Sequence, residues 1–338
     1  MSAILSRVDD LRGRIDLDRF DLGEKTSCVI LTPRFRTSRH VVALLIPNGA
    51  GEPRFVVKMP RLAGDGEGIA REARALTALR ENCPEAVGSI PEVVAWMDGD
   101  RPLLIETALV GPPLSRPTLR ANPLRFVDEV VSWLMRLPRD AGGGNGSFER
   151  LISQPLELFA ELFPDEAPER ELVARTLEIV EPLSHESLPH IFEHGDLGHP
   201  NLILLPSGRV GVLDWELAEE RGLLLHDLSF FLAFATFALR KSRTVEECVL
   251  AFDDAFFQRG GWARPRVSAY ADRLELDEAL LTPLFVACWA RYTARLAVRI
   301  GGDGAGLTEE SAAWVRENRY YGLWNYTLEN VRDLAWRR

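Results

Sequence analysis

Apolar residues form short runs over the first hundred positions, and these runs predict β-strands. The runs are rich in Val, Ile and Leu, and turn-forming residues or short connections separate them. We predict strands at residues 27–35, 39–47, 54–60, 89–98 and 101–110. One segment differs, because apolar residues three and four positions apart predict a helix over 69–82.

Helical periodicity replaces the strand pattern after residue 110. We predict helices at residues 124–137, 156–163, 169–183, 227–240, 244–258, 276–300 and 308–330. Two short apolar runs, 202–205 and 210–214, interrupt the helices and predict a small β-hairpin. Strands followed by helices, without regular alternation, indicate an α+β fold and argue against a dinucleotide-binding Rossmann sheet. The change of pattern predicts a domain boundary near residue 110 in this chain of 338 residues.

Composition and charge narrow the class of protein. Hydrophobic residues make up 46% and charged residues 27%, as in globular proteins with a sizeable core. The net charge of −10 disfavours nucleic-acid binding and polybasic membrane attachment. The N-terminus is too charged for a secretory signal, the most apolar window is too short to span a bilayer, and the four cysteines are scattered. We expect a cytoplasmic protein with no nucleic-acid or membrane partner, and the oligomeric state stays open.

Chemically active residues are densest in the segment 194–216, HGDLGHPNLILLPSGRVGVLDWE. Asn201 begins one strand of the predicted hairpin and Asp214 ends the other, so we expect the two side chains to meet. Asp196 lies on the loop just before them. Amide and carboxylate oxygens are ligands that Mg²⁺ prefers, with waters and substrate phosphates completing the octahedron. A further carboxylate can orient an attacking hydroxyl and accept its proton.

This segment resembles the catalytic loop and metal-binding aspartate of the protein-kinase-like superfamily. The pattern His-Gly-Asp-x-x-x-x-Asn, followed 13 residues later by an aspartate, carries the resemblance. Gly195 and the Leu-Asp-Trp-Glu at 213–216 resemble the aminoglycoside phosphotransferase branch, which also includes choline, homoserine and other small-molecule kinases.

The resemblance implies a bilobal fold and a division of roles. Residues 1–110 would form a strand-rich, nucleotide-binding N-lobe, and residues 111–338 a mostly helical C-lobe with the catalytic loop and the acceptor site. Asp196 would be the catalytic residue that orients the acceptor hydroxyl and accepts its proton. Asn201 and Asp214 would hold Mg²⁺, with ATP or GTP as the co-substrate.

The same resemblance implies a lysine on the third strand, paired with a glutamate on the next helix. Lys58 lies in the third apolar run and is one of only three lysines among 40 basic residues. A compact ammonium suits the gap between two phosphates, and a buried one needs a carboxylate partner. Glu72 is the best placed partner and Glu67 a weaker alternative. In the family, backbone groups after the fifth strand bind adenine, which makes Thr107 and Leu109 candidate contacts.

The connection between the first two strands, residues 32–38, departs from the protein-kinase pattern because it contains no glycine. A glycine-rich loop lets backbone amides close over phosphates. Here the hydroxyls of Thr37 and Ser38, or the guanidinium of Arg36, are the alternatives for this contact.

Several residues near the motif have expected supporting roles. His194 and the pair His226–Asp227 should hold the catalytic loop through hydrogen bonds. His199 is a candidate for the substrate site. The aromatic residues that follow are predicted to form a helical core and not a stacking platform: Phe230, Phe231, Phe234 and Phe237.

The acceptor is expected to be a small molecule with a hydroxyl group. Only twelve residues separate Asp214 from Asp227, so the chain lacks the long segment on which protein kinases hold a peptide. Residues 1–110 carry 15 basic and 16 acidic side chains, so nearly all of the net negative charge lies in the helical half. That charge fits either a cationic acceptor, such as an aminoglycoside or choline-like amine, or a solvated surface.

A second function class is a catalytically inactive, kinase-like module that binds nucleotides for regulation. The absence of glycine from the nucleotide loop is compatible with such an inactive module. The intact set Lys58, Asp196, Asn201 and Asp214 argues against it, since an inactive relative would be expected to have lost at least one of them.

Overall fold

The computed structural model describes residues 7–8, 26–31, 39–140, 146–164, 166–301, 306–334 and 336. Its strands are β1 (Thr26–Leu31), β2 (His40–Pro47), β3 (Phe55–Pro60), β4 (Val93–Met97), β5 (Leu103–Thr107), β6 (Arg139–Asp140), β7 (His190–Glu193), β8 (Leu202–Leu204), β9 (Val210–Val212) and β10 (Glu219–Gly222). Its α-helices are α1 (Glu67–Asn82), α2 (Arg116–Ala121), α3 (Pro123–Leu134), α4 (Gln154–Leu162), α5 (Ala167–Val180), α6 (His226–Arg240), α7 (Val245–Phe256), α8 (Arg264–Arg273), α9 (Leu281–Gly301), α10 (Glu309–Arg316) and α11 (Arg319–Glu329). The predicted α+β fold class is confirmed.

The chain divides into two compact units. The strand-rich unit comprises Met1–Pro113 with Asn201–Ala218, and the helical unit comprises Leu114–Pro200 with Glu219–Arg338. The hairpin segment, which the prediction placed in the helical lobe, groups instead with the strand-rich unit. Backbone hydrogen bonds explain this, because the Leu204 N–H donates to Pro112 O and the Val212 N–H to Ser89 O, each at 2.8 Å. The nucleotide-binding and acceptor-binding roles of the two lobes stay predictions.

An antiparallel sheet in the order β1-β2-β3-β5-β4 forms the centre of the strand-rich unit. Because side chains alternate across a strand, the sheet has two apolar faces. One face holds a cluster built from β2, β3 and β5: Ala43, Leu45, Phe55, Val57, Leu103 and Ile105. The other face packs Leu104 against Ile69 and Ala73 of helix α1.

The strand register decides which polar side chains share the α1 face. Lys58 lies directly opposite Leu104, and Glu106 lies opposite Val56, two residues before Lys58. On the other side of β3, His40 lies opposite Pro60, two residues after Lys58. Paired residues project to the same face, and positions two apart do so as well. His40, Lys58 and Glu106 therefore share the face that α1 covers.

The β8–β9 hairpin lies close to the chain that follows β5. A side chain at Gly111 would place its Cβ 2.0 Å from the Leu204 carbonyl oxygen, so only glycine fits there. The hairpin register pairs Leu202 with Val212 and Leu204 with Val210. This pairing brings the residues just outside the hairpin, Asn201 and Leu213, next to each other.

The helical unit is built around α9, a helix of 21 residues whose side chains are mostly buried. Helices α4, α5, α6 and α11 pack against α9. A three-stranded antiparallel sheet in the order β10-β7-β6 belongs to the same unit, and β7 is buried at all four positions. The chain leaves β7 directly into the loop that carries Asp196.

Several elements differ from the prediction. The expected helix over 308–330 is two helices, α10 and α11, because Asn318 adopts an extended conformation and its side chain caps the second helix by accepting the Tyr320 N–H. The short elements β7, α2 and α8 had no prediction, since four to ten residues give little periodicity. Within the described ranges, no helix has both the length and the apolar character needed to cross a bilayer.

Candidate active site

Lys58 is the centre of a buried charge cluster in the strand-rich unit. Its Nζ lies 2.6 Å from Glu72 Oε1, 3.4 Å from Asp214 Oδ1 and 3.5 Å from Glu106 Oε1. The expected pair of Lys58 with Glu72 is therefore present. Burial alone would lower the pKa of Lys58, but the three carboxylates outweigh it and raise the pKa well above its usual value. The lysine is held as a cation.

The two glutamates of the cluster differ in their hydrogen bonding. Glu72 Oε1 also accepts the Trp215 N–H at 3.0 Å. Burial raises the pKa of Glu72 above its usual value, and the charge of Lys58 and this N–H oppose the rise. Burial raises the pKa of Glu106 to about 8, against the charge of Lys58. Within the described part of the chain, Glu106 Oε2 has no hydrogen-bond partner. Glu106 therefore binds a proton more readily than an exposed glutamate does.

Asn201 and Asp214 stand at the two open ends of the β8–β9 hairpin. The Leu213 N–H donates to the Asn201 carbonyl oxygen at 2.9 Å, which places the residue before Asp214 next to Asn201. Asp214 has a φ of 67°, a left-handed conformation that aspartate adopts more readily than bulky residues. Its side chain is 36% exposed, in contrast to the 5% of Lys58. Asp214 thus combines a contact with Lys58 and access to solvent.

His40 and Glu216 extend this cluster toward the surface. His40 Nδ1 lies 3.0 Å from Glu216 Oε2, and His40 Nε2 lies 3.9 Å from Asp214 Oδ1. Burial lowers the pKa of His40, but the hydrogen bond and charge of Glu216 and the charge of Asp214 raise it above its usual value. His40, Asp214 and Glu216 each offer one potential ligand atom, a ring nitrogen or a carboxylate oxygen. These three atoms lie within 4.8 Å of one another. These residues form a site of negative charge that fits a cation.

The donor set of the strand-rich unit suits Mg²⁺. Glu72, Asp214 and Glu216 contribute carboxylate oxygens, and Lys58 supplies a permanent positive charge. Hard oxygen donors with an excess of negative charge are what Mg²⁺ requires, and it keeps its remaining positions for water and phosphate oxygens. Asn201 and Asp214 remain the predicted ligands.

The predicted nucleotide contacts after β5 differ in availability. The Thr107 N–H donates to Glu92 O at 2.9 Å, and the Ala108 N–H donates to Arg54 O at 2.8 Å. Neither N–H is therefore available to a nucleotide base. The predicted contacts with adenine are thus limited to the Thr107 carbonyl oxygen and the backbone of Leu109. The loop 32–38, with Arg36, Thr37 and Ser38, lies outside the described residues.

Asp196 occupies a half-buried position in the helical unit, at the end of a tightly held loop. Its carboxylate accepts a hydrogen bond from the Tyr292 hydroxyl, with Tyr292 Oη 3.1 Å from Asp196 Oδ1. Its backbone N–H donates to His194 Nδ1 at 3.2 Å. The expected supporting role of His194 is confirmed. Burial and the neighbouring charge of Asp196 raise the pKa of Tyr292 well above its usual value, so Tyr292 is a hydroxyl donor.

Asp227 supports the same loop from below, as predicted. Its two carboxylate oxygens accept the backbone N–H groups of His194 and Gly195 at 2.6 and 2.9 Å. Burial and the charge of Glu193 raise the pKa of Asp227 to about 8. The preceding Leu225 has a φ of 64°, an unfavourable conformation for leucine that starts helix α6 at this point.

A buried ion pair holds the strand that leads into the loop. Arg291 Nη1 on α9 lies 2.7 and 2.8 Å from the two carboxylate oxygens of Glu193, the last residue of β7. Glu193 Oε2 also accepts the Leu223 N–H at 2.6 Å. Burial would raise the pKa of Glu193, but Arg291 and the other nearby cations lower it to about 2. Consecutive residues of α9, Arg291 and Tyr292, therefore fix the two ends of the segment Glu193–Asp196.

The helical unit also places arginines and aromatic rings close to this loop. Arg116 Nε lies 3.4 Å from His199 Nε2, and the His199 and Phe234 rings are 5.8 Å apart. Burial and the charges of Arg116 and Arg319 lower the pKa of His199 to about 4, so this ring is neutral. Phe230, Phe231 and Phe237 are buried as predicted, but Phe234 is only half-buried, which corrects its assignment to the core.

The sequence prediction missed His40, Glu106, Arg116 and Arg319, and it did not connect Tyr292 with Asp196. His40 and Glu106 carry a signal in the strand alternation, because both occupy the Lys58 face once the register is known. Tyr292 is 96 residues from Asp196 and gives no local signal.

One comparison with known proteins identifies the family of this chain. A family model described as the phosphotransferase enzyme family matches residues 37–270, more than half of the chain. No curated protein matches the sequence at a significant level.

Solved structures with the same fold have low sequence identity to this chain. A choline kinase from Streptococcus pneumoniae has a TM-score of 0.51 at 11% identity, with 94% of this chain and 99% of that chain covered. An aminoglycoside phosphotransferase solved with GDP and kanamycin has a TM-score of 0.53 at 15% identity, with coverages of 95% and 97%. An aminoglycoside phosphotransferase from Streptomyces rimosus, solved with ADP and streptomycin, has a TM-score of 0.50 at 18% identity, with coverages of 82% and 98%. At these identities the likeness shows the fold alone.

Proposed function

Since this chain belongs to the phosphotransferase enzyme family, we propose that it transfers the γ-phosphoryl group of ATP or GTP to a hydroxyl group of a small molecule. The observation that carries the proposal is the contact of one buried ammonium, Lys58 Nζ, with both Glu72 at 2.6 Å and Asp214 at 3.4 Å. A buried lysine beside more carboxylate charge than it can neutralise suits a polyanion that arrives with a divalent cation.

The residues of the strand-rich unit bind the nucleotide phosphates. Lys58, fixed by Glu72, donates to oxygens of the α- and β-phosphates. Asp214 and Asn201 would hold Mg²⁺, which would offset the charge of the β- and γ-phosphates. Glu72 makes the shortest of the three contacts of Lys58 Nζ and so holds the ammonium group in place.

Asp196 acts on the acceptor. Its carboxylate accepts a hydrogen bond from the attacking hydroxyl group and takes up the hydroxyl proton as the phosphoryl group is transferred. The Tyr292 hydroxyl donates a hydrogen bond to Asp196 Oδ1 at 3.1 Å, and this bond orients the carboxylate for proton transfer. Little covalent chemistry is required, so positioning and charge stabilisation supply most of the rate.

The choice of nucleotide base rests on the backbone that follows β5. The Thr107 carbonyl and Leu109 backbone are the proposed contacts of the base. Structural relatives have been solved with GDP, with ADP and with AMP. Both ATP and GTP are therefore retained as candidate co-substrates.

A turnover screen tests the proposed function. Mg·ATP and Mg·GTP are offered with a panel of aminoglycosides, amino alcohols, sugars and hydroxy acids, and Asp196→Asn serves as the blank. We expect nucleotide consumption that depends on an acceptor and on Mg²⁺, and that falls by about 10²- to 10⁴-fold in Asp196→Asn. Nucleotide binding that depends on Mg²⁺, without turnover of any acceptor, would instead support the inactive regulatory module.

A further inference from the structure

Three partly exposed aromatic rings adjoin Asp196 in the helical unit. The Tyr292 ring, whose hydroxyl bonds to Asp196, has its centroid 4.5 Å from that of Tyr320. The Tyr320 and Phe234 rings are stacked at 6.4 Å. We call Asp196 and these three rings the acceptor surface. Rings of this kind give an apolar wall against which a ring or carbon chain can pack.

Two arginines border the acceptor surface. The Arg319 guanidinium lies 5.9 Å from the centroids of both the Phe234 and the Tyr320 rings. Arg116 borders it through His199, which its Nε contacts at 3.4 Å, and its Nη1 donates to Ser242 O at 3.1 Å. Both guanidinium groups are partly exposed.

Neither arginine has a carboxylate partner in the part of the chain that the structure describes. Among the described residues, no carboxylate lies within the ion-pair distance of 4.0 Å of Arg116 or Arg319. The contrast with the rest of the helical unit is clear, because Arg291 is bound by Glu193 and Arg295 by Glu219. Guanidinium groups that stack on rings and lack a carboxylate are suited to bind an anion.

The two buried carboxylates near Asp196 are already bound by groups of the protein. Glu193 is fully engaged by Arg291 and the Leu223 N–H, and Asp227 is engaged by two backbone N–H groups. A cavity of about 220 Å³ adjoins Arg319, and its charged lining residues are Arg243, Arg319 and the exposed Glu317. The lining of this cavity therefore carries two cations and one carboxylate, although the helical unit as a whole is acidic.

We infer that the acceptor is an alcohol that carries an anionic group, which Arg116 and Arg319 bind while its hydroxyl is presented to Asp196 and its carbon skeleton packs on Phe234 and Tyr320. This inference deepens the proposed function and rests on it. A cationic acceptor would place like charges beside two unneutralised guanidinium groups, which costs binding energy. The anionic group is a carboxylate or a phosphate, since both match the guanidinium fork.

Binding of matched probes tests this charge preference without knowledge of the natural acceptor. One series consists of glucuronate, glucose and glucosamine, with glucose 6-phosphate as the phosphate arm. A second consists of 4-(hydroxymethyl)benzoate, benzyl alcohol and 4-(hydroxymethyl)benzylamine. Dissociation constants are measured by ligand-observed NMR on the full chain with Mg²⁺ and a non-hydrolysable ATP analogue.

We expect the anionic member of at least one series to bind about tenfold or more tightly than its cationic counterpart. The comparison of glucuronate with glucose 6-phosphate distinguishes the two kinds of anion. A cationic probe that binds as tightly as the anionic one in both series overturns the inference. Failure of every anionic probe to bind at millimolar concentration overturns it as well.

Arginine variants connect the preference to the two residues. Arg319→Gln and the double variant Arg116→Gln with Arg319→Gln should reduce the preference for the anionic probe to about threefold or less. Arg125→Gln is the matched control, because Arg125 also lies over a phenylalanine ring, that of Phe126, at 5.4 Å. An unchanged preference in a double variant that melts like the wild type contradicts the inference.

The charge preference and the proposed function can fail separately. The preference is read from binding, so it is measured even in a protein that transfers no phosphate. Phosphoryl transfer is measured separately, with Asp196→Asn as the blank. A protein that transfers phosphate but prefers cationic acceptors would support the proposed function and contradict the charge preference.

Discussion

Lys58 shows how a single side chain is fixed by several distant parts of the sequence. Its partners come from α1, from the end of β5 and from the turn after β9, at 2.6, 3.5 and 3.4 Å. The pair with Glu72 was predictable, because a rare lysine in an apolar strand and a glutamate on the next helix are visible in the sequence. Glu106 was not, because its position on the same face depends on the register of β3 and β5.

The raised pKa of Glu106 predicts a pH dependence of stability. Its ordinary pKa is 4.5 and burial raises it to about 8, so between these values the folded protein holds a proton that the unfolded chain releases. This contribution to stability is complete below the ordinary pKa and is lost as the pH rises toward 8. We expect Glu106→Gln to weaken the fall in thermal midpoint between pH 5 and pH 8, a difference on the order of 1 kcal/mol or more.

The control for this titration is Glu52→Gln, which changes an exposed glutamate in the same unit. Glu52→Gln should keep the wild-type slope. Equal slopes for all three proteins would show that Glu106 is ionised in the folded state.

The Tyr292 hydroxyl provides a second prediction at the scale of one atom. Tyr292→Phe removes the hydrogen bond to Asp196 Oδ1 and leaves the ring in place. We expect kcat to fall about tenfold, because a hydrogen bond to a charged group is lost, while the KM of the nucleotide stays unchanged. Steady-state kinetics measure both constants.

Tyr326→Phe is the matched control for Tyr292→Phe. Tyr326 donates to Asp253 Oδ1 at 2.7 Å, so the same tyrosine–aspartate bond is lost away from Asp196. If both variants reduce kcat equally, the effect is one of stability and Tyr292 has no special role.

At the scale of elements, β7 and α9 together determine the position of Asp196. Helix α9 was predictable at 276–300, close to its observed span Leu281–Gly301, because a long helix repeats its apolar pattern many times. Strand β7 was not, because four buried residues have no periodicity that separates a strand from a loop. The ion pair that joins β7 and α9 could not be predicted either, because it depends on how the two elements pack together.

The ion pair between β7 and α9 predicts a large loss of stability on mutation. Arg291→Leu leaves Glu193 buried and unneutralised, which costs about 3 kcal/mol in the free energy of unfolding. Thermal unfolding followed by tryptophan fluorescence measures the loss. Adding Glu193→Gln to Arg291→Leu should recover part of it, because no buried charge then remains.

Arg266→Leu provides the comparison for Arg291→Leu. Arg266 pairs with Asp128 at 2.9 Å, but the Asp128 side chain is 61% exposed, so the loss should be about 1 kcal/mol or less. Equal losses in the two variants would mean that burial of the Glu193–Arg291 pair has no energetic consequence.

At the scale of the molecule, net charge was a poor guide to the charge beside the loop that carries Asp196. The sequence correctly placed nearly all of the excess acidic charge in the helical half, and this suggested a cationic acceptor as one of two alternatives. The structure binds the nearby carboxylates Glu193 and Asp227 internally and leaves Arg116 and Arg319 without carboxylate partners in the described chain. Which charges face a site depends on pairing between elements, and composition does not contain that information.

The division into units was predictable only in part. A boundary near residue 110 follows from the change between strand and helix periodicity. The return of Asn201–Ala218 to the strand-rich unit depends on hydrogen bonds from the hairpin to Pro112 and Ser89, which periodicity does not reveal. That return is also what gives Asp214 its contact with Lys58.

The central claim is that this chain moves a phosphoryl group from a nucleotide to a small organic acceptor, and label transfer tests it most directly. The protein is incubated with Mg²⁺, a mixture of small cellular metabolites and ATP or GTP labelled in the γ-phosphate, and the products are separated by chromatography. We predict label in an organic product that disappears when Mg²⁺ is chelated and is reduced at least about 10²-fold in Asp196→Asn. Label that stays in nucleotide and inorganic phosphate, or label transfer that persists unchanged in Asp196→Asn, would contradict the claim.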